Sequence, residues 1–269
     1  MKSIAIALCL WLVGFAASAA KTPPTTVDVP DASDVWISPT EPGWGVSVNQ
    51  QKDVLFLTMF VYAPTGLPTW YVGSNTVFAG KSGASAIYRG PLFTTAGSPH
   101  TAAWNPGTFR MRQVGTVTFT LTSATTATIS YTSDGVGVSK SLVRQTWRLN
   151  NLDGQYIGAV AGTYSKCANS VLNGFTLEYA TIAVDQNGAN FQMNLENSEG
   201  RGSCSYAGTY SQAGRVGSVT GSFTCTGNVS GTFTASEVEG DATGFLARLE
   251  ERSNSCNYSG RVGGVRATQ

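Results

Sequence analysis

The sequence predicts an all-β protein of two antiparallel, meander or barrel-like domains. Three observations predict it: apolar and polar residues alternate with a period of two, turn dipeptides separate the alternating runs, and composition changes sharply near residue 150. A length of 269 residues suits two domains of roughly 100–200 residues each. Beyond the N-terminal apolar run, no stretch joins a helical period to capping signals.

The N-terminus comes first. Lys2 precedes an apolar run from Ile4 to Phe15, and small residues follow at Ala16, Ala17, Ser18, Ala19 and Ala20. This pattern reads as a secretory signal peptide over residues 1–20. The run is too short to span a membrane, and no later stretch approaches the roughly 20 apolar residues of a transmembrane helix. Residues 21–34 are polar and proline-containing and read as a flexible leader.

Residues 35–149 form the first expected domain. It holds the five tryptophans beyond the signal peptide: Trp36, Trp44, Trp70, Trp104 and Trp147. Val54–Tyr62 is rich in strand formers, and a proline-glycine turn leads into Thr69–Val72. Val114–Leu121 and Ala127–Tyr131 alternate, and Asp134-Gly135 supplies a hairpin turn.

Residues 150–269 form the second expected domain, which is glycine-rich and barrel-like. Phe175, Leu177 and Tyr179 alternate with Thr176, Glu178 and Ala180; Asn187-Gly188 turns the chain; Phe191, Met193 and Leu195 alternate in turn. One buried and one wet face is expected for each strand. The segment from Ala161 to Ser165 recurs at Ala207–Ser211. A Ser-Cys-x-Tyr-x-Gly series at 203–208 recurs at 255–260, and Gly-Arg-Val-Gly occurs at 214–217 and 260–263. Seven or eight short strands per half suit a closed barrel, which leaves no exposed edge and whose interior is filled or holds one small ligand.

Four cysteines remain after the signal peptide, and an even count in an exported chain reads as two disulfides. Cys204 and Cys225 lie equidistant from a turn at Gly214-Arg215, which pairs them; Cys167 with Cys256 follows by elimination. Four cysteines allow three connectivities, so the alternatives stay open.

Composition excludes several functions. A net charge of +1 lacks the basic excess of a nucleic-acid binder, and 42% hydrophobic residues argue against disorder. His100 is the single histidine and sits in a loop, which removes most zinc sites and histidine-dependent triads. No metal and no cofactor is expected.

The series Glu41–Gly45, Phe60–Tyr62, Gly66–Tyr71 and Tyr88–Pro91 carries P-G-W-G, F-V-Y and G-x-P-T-W-Y motifs. Over residues 35–148 it resembles a group of exported bacterial proteins that share these motifs. The resemblance implies a bacterial, exported protein and brings no activity with it.

The strongest candidate binding residues are the aromatics Trp44, Phe60, Tyr62, Trp70 and Tyr71, since their faces stack on sugars and apolar ligands. The competing reading is that they fill the barrel. Trp44, between two glycines, is expected to be poorly shielded, and Trp70 and Tyr71 to point to opposite faces. Glu237 and Glu239 place two carboxylates on one strand face, a pattern that serves glycoside hydrolysis. No third catalytic group accompanies them, so a solvated strand end competes. Arg215 and Arg261 each follow a glycine and read as exposed turn residues. The expected function is an exported, non-catalytic binding or envelope-associated module, periplasmic or extracellular. Its ligand would be a small apolar molecule or a glycan. The alternatives are a secreted glycoside hydrolase and a purely structural envelope protein.

Overall fold

The computed structural model describes residues 29–200 and 202–267. The expected signal peptide and residues 21–28 of the expected leader lie outside them.

Eight strands form the first barrel: β1 (Asp34–Ile37), β2 (Gly45–Gln51), β3 (Val54–Tyr62), β4 (Pro68–Ser82), β5 (Ser85–Ala96), β6 (Arg110–Leu121), β7 (Thr126–Ser133) and β8 (Val136–Arg144). Eight more form the second: β9 (Gly154–Ser165), β10 (Gly174–Asn187), β11 (Asn190–Asn197), β12 (Ser203–Ala213), β13 (Val216–Cys225), β14 (Val229–Gly240), β15 (Gly244–Ser253) and β16 (Asn257–Arg266). Each set is an antiparallel meander in which the first strand pairs with the last, so both sheets close on themselves. Closure satisfies the edge groups that an open sheet would leave unpaired.

Alternation builds both cores. Along β3, Leu55, Leu57, Met59 and Val61 point inward, while Phe56, Phe60 and Tyr62 point outward. Trp36, Tyr88 and Phe119 are wholly buried in the first barrel, with the Trp36 and Phe119 rings edge to face at 5.5 Å. Tyr156, Ile182, Val219, Leu249 and Val262 belong to the core of the second. Its packed lower part leaves only about 10 Å³ of free space, room for one water at most.

Each barrel is plugged at one end by the segment preceding its first strand. Ala32 is fully buried, and its carbonyl accepts a 2.9 Å hydrogen bond from Trp36 Nε1. Leu152 does the same for the second barrel, where its carbonyl accepts from the Tyr156 hydroxyl at 2.6 Å. Residues 29–33, expected as part of a flexible leader, are therefore packed against the barrel base. The reason is that an eight-stranded barrel presents an open apolar end that some segment must cover.

Arg144 secures the first plug. Its side chain is wholly buried and lies 4.5 Å above the Trp36 ring. It donates to the carbonyls of Ala124 at 2.7 Å and Ser33 at 3.1 Å, to that of Asp31, and to Asp34 Oδ2 at 3.1 Å. The β12–β13 turn of the second barrel docks on the same carboxylate: the Arg215 N–H donates to Asp34 Oδ2 at 3.0 Å. The Arg215 side chain reaches Asp31 at 2.5 Å, and the Gly214 N–H donates to Thr146 Oγ1 at 2.8 Å. Arg215 is thus a contact between the barrels rather than a free turn residue. Arg261 lies mid-strand in β16, so the two Gly-Arg-Val-Gly segments are not structural equivalents.

Two disulfides join Cys204 to Cys225 and Cys167 to Cys256. The first links directly opposed residues of β12 and β13, as the equal distance from Gly214-Arg215 requires. The second ties the loop after β9 to the turn before β16. Disulfides of this kind fit an exported protein. Among the described residues no helix is long and apolar enough to cross a membrane.

Arg144→Met is expected to cost about 3–5 kcal/mol, because it leaves the largely buried Asp34 carboxylate without its cation. Arg215→Ala, which removes a half-exposed ion pair and keeps the backbone donor, is expected to cost about 1 kcal/mol or less. Urea denaturation of the two variants checks both.

Candidate functional site

The structure separates the five aromatics expected to bind ligand. Trp44 is buried, which corrects its expected exposure. Alternation along β2 extends the inward row of Val48 and Val46 to Trp44, and Lys140, paired with Glu41, covers its ring at 5.7 Å. Tyr71 also points inward; its hydroxyl accepts from Ser133 Oγ at 3.2 Å. Phe60, Tyr62 and Trp70 lie on the outer face and are exposed, with Phe60 directly opposite Trp70 in the register. Trp70 and Tyr71 do point to opposite faces.

The motifs meet here for a packing reason. A Cβ at Gly45 would lie 2.4 Å from the Phe60 ring, and one at Gly43 would lie 2.2 Å from the Tyr62 hydroxyl. The glycines flanking Trp44 are the seats of two aromatic rings from β3. Any larger residue would lift those rings off the sheet.

A concavity opens in the second barrel, at the end opposite the turn that docks on the first. A cavity of about 590 Å³ lies above the packed core, within the usual range for small-molecule sites. Both disulfides lie at its mouth.

β10 gives the cavity its character through which of its alternating faces turns inward. Thr176 and Glu178 point inward, whereas Leu177 and Tyr179 are exposed outside and Phe175, also exposed, stands at the cavity's rim. Strict alternation imposes this. Ile182 and Val184 anchor the lower half of β10 in the core, so every even position above them must also face inward.

The inward polar groups form a cluster. Glu251 is buried, and the Tyr206 hydroxyl donates to its Oε1 at 2.6 Å. Glu178 accepts from Asn197 Nδ2 at 2.9 Å and from Thr176 Oγ1 at 3.3 Å. The Tyr164 and Tyr258 rings lie 5.1 Å apart, and Tyr206 stacks on Phe223 at 5.7 Å. The Tyr258 hydroxyl is buried and meets no hydrogen-bond partner among the described residues.

Burial raises the pKa of Glu251; the Tyr206 hydrogen bond opposes the rise and the neighbouring Glu178 carboxylate adds to it. Burial and the two glutamates push Tyr164 up to about 12. Tyr206 and Tyr258 are raised by the same burial.

The internal repeat explains the walls. Its two copies place Cys204, Tyr206 and Gly208 on β12, and Tyr258 and Gly260 on β16 with Cys256 just before it. These strands are four apart in a ring of eight, so the copies face each other across the barrel. The glycines open space for the rings: a Cβ at Gly260 or Gly162 would lie 2.3 or 2.5 Å from the Tyr258 hydroxyl.

Glu237 and Glu239 lie outside the cavity. A bulge between Ser236 and Glu239 shifts the β14 register, turning Val238 inward and both glutamates outward. Glu237 pairs with Arg248 at 3.3 Å and Arg261 at 3.1 Å, and Glu239 with Arg215 at 3.4 Å.

No family model matches the chain, and no curated protein matches it. A double mutant of the vaccine antigen transferrin binding protein B from Haemophilus parasuis is similar in structure, with a TM-score of 0.33 and 9% identity over 86% of this chain. The chain spans 62% of the length of that protein. At this level the likeness adds nothing to the topology described above.

Trp44→Ala is expected to cost about 3–5 kcal/mol of stability and Trp70→Ala about 1 kcal/mol or less, as thermal melting will show. A second expectation concerns pH. Glu251 holds its proton more tightly in the folded than in the unfolded state. The stability linked to it is therefore full below the ordinary glutamate value of 4.5 and is lost as pH rises through the folded value. Glu178, Tyr164, Tyr206 and Tyr258 are the titratable groups around it. Glu251→Gln should therefore gain stability relative to the parent from acidic to neutral pH. Denaturation at several pH values would show a constant difference if the carboxyl were not desolvated.

Proposed function

We propose that the protein is an exported binding module that holds a small molecule in the upper half of its second barrel. One observation carries the reading: a cavity of about 590 Å³ with aromatic walls, a few convergent polar groups and a disulfide-braced mouth. A periplasmic or extracellular site of action follows from the expected signal peptide and the disulfides. The glycosidase reading loses support, because both of its carboxylates are held by arginines outside the cavity.

A glycan is the second reading, and the exposed rings of Phe60, Tyr62 and Trp70 on the first barrel favour it. It ranks second because Phe60 and Tyr62 already have a packing task over Gly45 and Gly43.

The neutral dye Nile red is the probe. Its fluorescence should rise on binding, with a dissociation constant in the micromolar range. Val160→Phe, which fills the cavity, should abolish the rise, and Trp70→Ala should leave it intact. The opposite pattern would move the site to the outer face of the first barrel.

A further inference from the structure

The cavity lining has an unbalanced charge. Glu251 and Glu178 line it, and no lysine, arginine or histidine does so among the described residues. Among the described residues, the buried Arg144 pairs with Asp34 and the half-buried Glu237 with two arginines. The buried Glu251 has no such cation there. Its polar contacts are a tyrosine hydroxyl and, at longer range, the like charge of Glu178. A carboxylate kept from water without a cation is unfavourable unless something brings the missing charge.

Two further features point the same way. The rings of Tyr164, Tyr206, Tyr258 and Phe223 surround the carboxylates, and aromatic faces attract cations. The buried Tyr258 hydroxyl can accept a hydrogen bond and meets no donor among the described residues. A metal ion fits less well, because no group of three His, Cys, Asp or Glu side chains is placed to hold one among the described residues.

We propose that the cavity selects a protonated organic amine, whose ammonium group sits between Glu251 and the Tyr258 hydroxyl within the tyrosine walls. This deepens the cavity reading and rests on it. The ammonium would donate to Glu251 and to Tyr258, and the hydrocarbon part would meet Val160, Leu195 and Phe223.

The test compares three probes of one shape at neutral pH: 2-phenylethylammonium, 2-phenylethanol and 3-phenylpropionate, with binding read directly by saturation-transfer NMR. The cation should bind about tenfold more tightly than the alcohol, and the anion more weakly still. Glu251→Gln should erase most of the cation's advantage, read as the ratio of cation to alcohol binding by the same variant. Glu178→Gln serves as a second variant should the first misfold, and is expected to reduce the advantage by a smaller factor. Equal binding of cation and alcohol, or an advantage that survives both substitutions, overturns the amine assignment; intact Nile red binding then preserves the cavity reading. Loss of every probe, Nile red included, overturns both.

Discussion

Closing an eight-stranded sheet is the constraint on which the rest of this structure depends. Once β1 meets β8 and β9 meets β16, every second residue must point into a cylinder of nearly fixed width. What those residues are decides whether the cylinder is a core or a container. In the first barrel they include Trp36, Trp44, Tyr88 and Phe119, which are large and buried. In the upper part of the second they include Thr176, Glu178, Gly162 and Gly260, which leave room above Val160, Leu195 and Phe223. The same architecture thus yields one packed barrel and one with a cavity.

The glycines of the second barrel serve that end in a specific way. Gly162 lies opposite Gly260, and Gly208 opposite Gly221, so inward positions carry glycine on both strands at once. Added Cβ atoms there would meet backbone at 2.0–2.5 Å. Paired glycines let the strands coil tightly at these points, and the Tyr258 ring extends over the space they leave. Strands this poor in side chains lose much backbone entropy on folding, and the two disulfides offset part of that loss at the mouth, where the packed core gives least support.

Much of the fold was legible in the sequence because alternation and turn chemistry are local. The barrel class rests on alternation, the strands around Asp134-Gly135 and Asn187-Gly188 on turn chemistry, and the Cys204–Cys225 pairing on a turn midway between its partners, from which Cys167–Cys256 follows by elimination. The face of a strand is less local. In β10 the alternation of Phe175, Leu177 and Tyr179 with Thr176, Glu178 and Ala180 leaves open which face is buried, and Ile182 and Val184 lower down set the phase. The glycines flanking Trp44 suggest an exposed ring, but Phe60 and Tyr62 from β3 fill the space those glycines leave and Trp44 itself turns inward. The Ser236–Glu239 bulge turned two promising carboxylates outward. The cavity itself gave one faint signal, a repeated Cys-x-Tyr-x-Gly whose copies only the closed topology sets face to face. A glutamate on the inward side of β15 is the other part of that signal, and it becomes meaningful only once the neighbouring strands are known.

The central claim is that the upper half of β10 turns its polar residues inward, over a cavity, and its apolar residues out to solvent. Hydroxyl-radical footprinting with residue-level mass spectrometry tests it most directly, because aromatic side chains are oxidised according to their exposure. The account predicts strong labelling of Phe175 and Tyr179 together with protection of Phe223 and Phe233. Protection of Phe175 and Tyr179 at the level of Phe233 would contradict it, for those rings would then fill the space assigned to the ligand.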